Sequence, residues 1–138
     1  MRIRFTHMAQ TVFVFGNPDV PEDSLPVRIM PALRRAFPGT RFEPKDPNEE
    51  WDVPEELTVI DVVAGLSEPR TFDDLDRFSG GPLVSLHDFD AYANLMLLRK
   101  LKRLKRLRII GLPPDMDEKK AFAAVAAALR AGRDGAAS

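Results

Sequence analysis

The chain has 138 residues, enough for one domain with a buried core. Apolar residues make up 44% of it and charged residues 30%, and the formal net charge of −1 provides no overall field that attracts nucleic acid or an anionic membrane. The absence of cysteine excludes disulfides, thiolate metal sites and cysteine nucleophiles. No apolar run reaches the roughly 18 residues that span a bilayer, so we expect a cytoplasmic protein without a signal peptide.

The first half of the chain predicts a strand, a helix and two further strands. Residues 1–7 are interpreted as an extension, and the β-branched and aromatic run "TVFVF", 11–15, predicts a buried strand. A helix is expected from Ser24, as N-cap, to about Phe37, because apolar residues recur four positions apart. "TRFEP" predicts a second strand. "LTVIDVVAG", 57–65, is apolar on both faces, which is typical of a central parallel strand.

The second half predicts two strands and three helices. They are a helix at 70–78, a strand at 80–88, a helix from Asp90 to about Arg103, a strand at 107–114 and a helix at 117–132 that ends at Gly132. Residues 132–138 are expected to form a disordered tail. Because strands alternate with helices, we predict a single α/β domain over residues 1–138, with a mostly parallel five-stranded twisted sheet and helices on both faces.

Polar side chains accompany three of the predicted strands near their carboxyl ends, where ligands gather in parallel sheets. Glu22 and Asp23 follow the first strand, Asp61 lies among valines in the third, and His87 lies at the end of the fourth. An isolated carboxylate buried among valines costs several kcal/mol, so Asp61 requires hydrogen-bond donors, a cation or a metal. Two carboxylates and one imidazole form a three-ligand site that suits Zn²⁺, Ni²⁺ or a similar ion. Taken singly, Asp61 could instead accept backbone N–H groups, and His87 could be a packed side chain.

Four short motifs resemble, in their order and spacing, those of the [NiFe]-hydrogenase maturation endopeptidases. "GNPDVPED" places Glu22 and Asp23 at the fifth and sixth positions after Asn17, "VIDVVA" carries Asp61, and "LHDFDAYANL" carries His87. "IIGLPPDMD" resembles the fifth-strand motif of that family. The resemblance covers nearly the whole chain and implies a three-layer α/β/α sandwich of the phosphorylase/hydrolase-like kind.

The resemblance also implies an activity, the removal of a C-terminal extension from a nickel-loaded hydrogenase large-subunit precursor. The catalytic and metal-contacting residues would be Asp23, Asp61 and His87, and the substrate-binding residues Asn17, Glu22 and Asp46. The substrate would carry the nickel, with zinc or cadmium able to substitute for it. The precursor is the expected partner. We expect no nucleic-acid or membrane partner, and a monomer or weak homo-oligomer.

Two departures from the family pattern leave alternatives open. Ser24 follows the acidic pair where the family has glycine, and Pro47-Asn48 replaces a Gly-Gly pair. A second hypothesis is therefore a catalytically inactive domain of the same fold that binds a metal or a protein partner, and a third is a metallohydrolase with its own zinc. Cleavage could use a metal-polarised carbonyl or an activated water.

The basic run "RKLKRLKRLR", 99–108, is the densest cluster of positive charge in the chain. It contains no interleaved aromatic residues, which argues against an RNA-binding surface. We interpret it as the solvated end of a helix with the loop that follows, and we expect Leu101, Leu104 and Leu107 to point inward.

Overall fold

The computed structural model describes residues 10–45, 53–73, 84–85 and 103–137 of the chain. The elements in chain order are β1 Gln10–Phe15, a 3-10 turn Pro21–Asp23, α1 Leu25–Ala36, β2 Thr40–Lys45, β3 Glu56–Ala64, β4 Arg70–Phe72, β5 Val84–Ser85, β6 Arg106–Leu112 and α2 Glu118–Ala137. None of the helices in these residues has the length and hydropathy needed to cross a bilayer.

Six strands form the sheet: five lie in the order β2-β1-β3-β6-β4, and β5 pairs with β3 off this path. The pairs β1–β2, β1–β3 and β3–β6 are parallel, whereas β4 runs antiparallel to β6 and β5 antiparallel to β3. The mostly parallel α/β sheet is therefore as predicted. β3 occupies its centre, which explains why that strand is apolar on both faces.

The two faces of the sheet carry separate apolar clusters. The first includes the buried faces of both described helices, and α1 contributes Leu25, Ile29 and Leu33 because they recur four positions apart. The second is built from the opposite side chains of the same strands, with Leu104 and Leu107 added to it. The helices predicted at 70–78 and from Asp90 to about Arg103 fall largely outside the described residues.

Three sequence predictions about elements differ from the structure. Residues 70–72, expected to begin a helix, form β4, because pairing with β6 outweighs a weak local preference over so short a segment. The strand at 84–85 is antiparallel to β3, whereas a parallel one was expected. Helix α2 continues past Gly132 to Ala137, since a glycine lowers helix stability by only about 1 kcal/mol in an alanine-rich segment. Residues 132–137 thus belong to helix α2.

The edge of the sheet formed by β2 is heavily charged. The Glu43 carboxylate lies 3.2 Å from Lys45 Nζ and 3.7 Å from Arg41 Nη1. Lys45 Nζ also lies 4.9 Å from the ring centroid of Phe13, a buried residue of the neighbouring strand. Pro44, between these residues, is exposed and has no N–H to donate.

In the described part of the basic run, residues 103–108, two leucines belong to the core and one arginine connects two elements. Leu104 and Leu107 are buried, as predicted, while Leu101 lies outside the described residues. Arg108 Nη1 donates a hydrogen bond to the Ala128 carbonyl, 3.1 Å away, and so ties β6 to α2. Burial lowers the pKa of the Arg108 guanidinium, and the charge of Asp73 opposes that shift.

Candidate active site

Asp23 is held by a tight loop, residues 16–24, that we call the Asp23 loop. The Asn17 backbone N–H donates to both Asp23 Oδ2 and the Asp23 backbone carbonyl, each at 3.1 Å. The Asp23 N–H donates in turn to the Val20 carbonyl at 2.9 Å. With only 1% of its surface exposed, Asp23 is fixed immediately beyond the carboxyl end of β1.

Gly16 and Asn17 shape this loop. Gly16 has a φ of +157°, and a Cβ at that position would lie 2.7 Å from the Asp23 backbone oxygen, so only glycine fits without a shift of backbone. Asn17 Oδ1 accepts the Asp19 N–H at 2.9 Å in an Asx turn. The structure therefore gives the Asn17 side chain a role in shaping the loop, and its predicted contact with substrate stays a prediction.

Ser24 occupies the position where the resemblance leads one to expect glycine. Its φ of −93° and ψ of −8° lie in the ordinary right-handed region, so serine fits this backbone without strain. It stands at the predicted N-cap of α1 without a side-chain capping bond. Its hydroxyl instead donates to the Pro21 carbonyl and accepts from Arg28 Nε, both at 2.9 Å. Arg28 also forms a 2.6 Å ion pair with Glu118, which connects the loop to the start of α2.

Asp61 is fully buried in the central strand. Its side chain lies on the face of the second cluster, between Val59 and Val63 of the same strand. Asp61 Oδ1 accepts the Val62 backbone N–H at 2.9 Å, so a local backbone donor provides part of the compensation that a buried carboxylate requires. The β1–β3 register pairs Val14 with Ile60, which places Asp61 one step further along, where β1 ends.

A glycine lies beside Asp61 on the other neighbouring strand. The β3–β6 register pairs Asp61 with Gly111, and the β4–β6 register pairs Gly111 with Arg70. A Cβ on Gly111 would lie 3.0 Å from Leu66 Cδ1 and 3.1 Å from Val63 Cγ2, so a larger residue would fit only if these side chains shifted slightly. Sequence reasoning missed Gly111 and Arg70 as neighbours of Asp61, because only the sheet register brings them together.

Two members of the predicted metal trio are thus placed at the carboxyl ends of adjacent parallel strands, Asp23 after β1 and Asp61 near the end of β3. His87, Asp46 and the Glu22 side chain lie outside the described residues. Within residues 10–45, 53–73, 84–85 and 103–137, no group of three or more histidine, cysteine or acidic side chains could hold a metal ion. The metal-binding trio therefore remains a prediction, of which the structure describes Asp23 and Asp61.

Comparison with known proteins identifies a shared fold. No protein-family model matches the sequence, and no curated protein matches it. Among solved structures, the hydrogenase maturating endopeptidase HybD from E. coli is similar with a TM-score of 0.61 and 16% identity, over 89% of this chain and 93% of that one. An endopeptidase from Escherichia coli solved in solution gives 0.60 and 17%, over 91% and 94% of the two chains. An uncharacterized protein from Wolinella succinogenes gives 0.55 and 15%, over 94% and 99%.

At these identities the likeness is one of fold, and it extends over nearly the full length of both chains in each comparison. The fold that the sequence motifs implied, that of the hydrogenase maturation endopeptidases, is confirmed.

Proposed function

We propose that this protein is an endopeptidase that removes the C-terminal extension of a nickel-loaded hydrogenase large-subunit precursor in the cytoplasm. The proposal is supported by a fold shared with a hydrogenase maturating endopeptidase and a second endopeptidase. It is also supported by the motifs that carry Asp23 and Asp61, which fall on the carboxyl ends of adjacent strands in that fold.

The observation that carries the proposal is the burial of two carboxylates, one in the loop that follows β1 and one in the neighbouring strand β3. Asp23, in the turn that follows β1, is 1% exposed, and Asp61, in β3, is 0% exposed. The strands β1 and β3 are adjacent and parallel. Buried carboxylates on neighbouring elements repel one another and lose hydration, and a divalent cation offsets both costs. Binding of a metal-bearing substrate would stabilise a site of this kind, so the site can distinguish a nickel-loaded precursor from an empty one.

In the proposed reaction, water adds to the carbonyl carbon of the scissile peptide, the C–N bond breaks, and the leaving nitrogen takes a proton. Asp23 and Asp61 would contact the nickel carried by the substrate, with His87 as the third contact. The nickel would polarise the carbonyl or lower the pKa of the attacking water. Asn17, Glu22 and Asp46 would contact the peptide, and zinc or cadmium would replace nickel in binding experiments.

The first test is calorimetric titration of the apoprotein with Ni²⁺ and Zn²⁺. Asp23→Asn, Asp61→Asn and His87→Ala should each weaken binding by about tenfold or more, because each removes a direct ligand. Asp19→Asn is the matched control, since Asp19 lies on the Asp23 loop but is exposed. Thermal unfolding of each variant, measured in parallel, separates loss of a ligand from loss of the fold.

The second test measures the mass of a purified large-subunit precursor after incubation with the protein. The nickel-loaded precursor should lose its C-terminal extension and the nickel-free precursor should not, and Asp61→Asn should abolish the cleavage. Unchanged metal affinity in all three folded variants would show that the site is assigned to the wrong residues. Equal cleavage of loaded and empty precursor would show that nickel plays no part.

A further inference from the structure

A groove bordered by Arg70 lies near Asp61 in the sheet order. The registers place Asp61, Gly111 and Arg70 side by side on three adjacent strands. Directly paired residues share a face, so the Asp61 and Arg70 side chains lie on the same face. Gly111 has no side chain of its own, and the side chains of Leu66, Val63 and Phe72 pack over it. Since adjacent strands are about 4.8 Å apart, the two Cα atoms are separated by roughly 10 Å.

The Arg70 guanidinium lies over an aromatic ring. Its Cζ lies 5.3 Å from the ring centroid of Phe72, a residue that is 3% exposed and belongs to the second cluster. A guanidinium over an aromatic ring keeps its in-plane N–H donors available for a bidentate acceptor. In the described ranges, no carboxylate forms an ion pair with Arg70. Such a preorganised fork fits a carboxylate better than a flexible lysine would.

The groove that Arg70 borders is about 360 Å³ and is formed by the segment that leaves β3, with Gly65, Leu66, Ser67 and Glu68 as its other lining residues. That volume is enough for one or two amino-acid residues. Gly65 has a φ of +96°, which turns the chain sharply at the end of β3. Glu68 repels anions, so an acidic group would be accepted only at the Arg70 end.

We propose that Arg70 is a specificity-determining residue that binds a carboxylate of the peptide substrate, while Asp61 contacts the metal that the substrate carries. The proposal rests on the proposed function, since the peptide in question is the one to be cleaved. The carboxylate can belong to an acidic side chain of the peptide or to its C-terminus. Either source anchors the peptide about two strands from Asp61, and so sets which bond is presented.

The test compares Arg70→Gln with Arg106→Gln, an exposed arginine at the opposite end of β6 that serves as the matched control. Three probes are titrated into ¹⁵N-labelled full-length protein: N-acetyl-aspartate N-methylamide, N-acetyl-alanine and N-acetyl-asparagine N-methylamide. The first carries a side-chain carboxylate, the second a terminal one, and the third none. Resonances of the Arg70 Nε–H and of the Gly65, Leu66 and Ser67 amides report binding.

At least one acidic probe should shift these resonances in the wild type and in Arg106→Gln, and its affinity should fall about tenfold or more in Arg70→Gln. The acidic probe that binds identifies the source of the carboxylate. Equal binding of the asparagine probe, or unchanged binding in Arg70→Gln, would overturn the inference.

Nickel affinity measured on Arg70→Gln separates this inference from the proposed function. It should equal that of the wild type, because Arg70 is not a metal ligand. If the wild type binds an acidic probe through Arg70 but binds no nickel, the proposed function fails while the carboxylate site stands. If nickel binds and the probes do not, only the Arg70 assignment is wrong.

Discussion

Asp23 and Asp61 are almost equally buried, but the chain holds them by different means. Asp23 depends on a loop in which a single N–H, that of Asn17, binds both its carboxylate and its carbonyl. Asp61 belongs to a strand paired on both sides, with β1 and with β6. The loop can therefore be displaced by one local change, whereas the strand keeps its position and only the surroundings of its side chain can be altered.

The contrast predicts that the largest effect will come from Gly16→Ala. Its Cβ would lie 2.7 Å from the Asp23 backbone oxygen, so the loop must move. We expect the free energy of unfolding to fall by about 2–3 kcal/mol, and Ni²⁺ affinity to fall with it because Asp23 is displaced. Chemical denaturation and calorimetry measure the two quantities.

Gly39→Ala is the control for Gly16→Ala, because no atom lies within 4 Å of a Cβ built there. If Gly16→Ala keeps both the stability and the nickel affinity of the control, the loop does not position Asp23 as described.

Gly111→Ala tests the strand side of the comparison. Its Cβ would meet the ends of the Leu66, Val63 and Phe72 side chains at 3.0–3.3 Å, which can yield more easily than backbone. We expect a loss of about 1–2 kcal/mol in the free energy of unfolding, with Ni²⁺ affinity unchanged because Asp61 stays in the sheet. A loss of nickel affinity as large as that of Gly16→Ala would remove the distinction between the two regions.

Ser24→Ala should have the smallest effect of the three. It removes a buried hydroxyl that links the Pro21 carbonyl to Arg28, without changing the backbone. We expect about 1 kcal/mol of destabilisation and at most a small change in nickel affinity. Ser67→Ala, at an exposed position, is the control in thermal unfolding. A severe loss of metal binding in Ser24→Ala alone would show that this hydroxyl positions Asp23 more strongly than the backbone bonds do.

Much of the fold could be predicted from local patterns. β1, β3 and α1 have strong apolar periodicity, and their observed bounds lie within a residue or two of the predicted ones. β4 could not be found this way, because three residues carry too little pattern and their strand is defined by pairing with β6. The end of α2 was predicted too early, because a glycine only favours helix termination and the helix propensity of the neighbouring alanines outweighs it.

Two residues of the candidate site could be singled out in the sequence, and their role in the site stays a prediction. Asp61 is conspicuous because a carboxylate among valines needs a physical reason, and Asp23 because it follows a Gly-Asn turn. The alignment of Asp61, Gly111 and Arg70 across three strands could not be predicted from the sequence. Gly111 is remote from Asp61 along the chain, and Arg70 belongs to an antiparallel strand. Registers of this kind depend on tertiary packing, which no local pattern encodes.

The charged end of the sheet at β2 has a consequence for how this protein behaves when it is concentrated. To pair with this edge, a strand from another molecule would need backbone N–H donors and an uncharged surface along Thr40–Lys45. It would meet Pro44, which has no N–H, and three charged side chains instead. Aggregation by edge-to-edge sheet extension is therefore disfavoured on that side of the molecule.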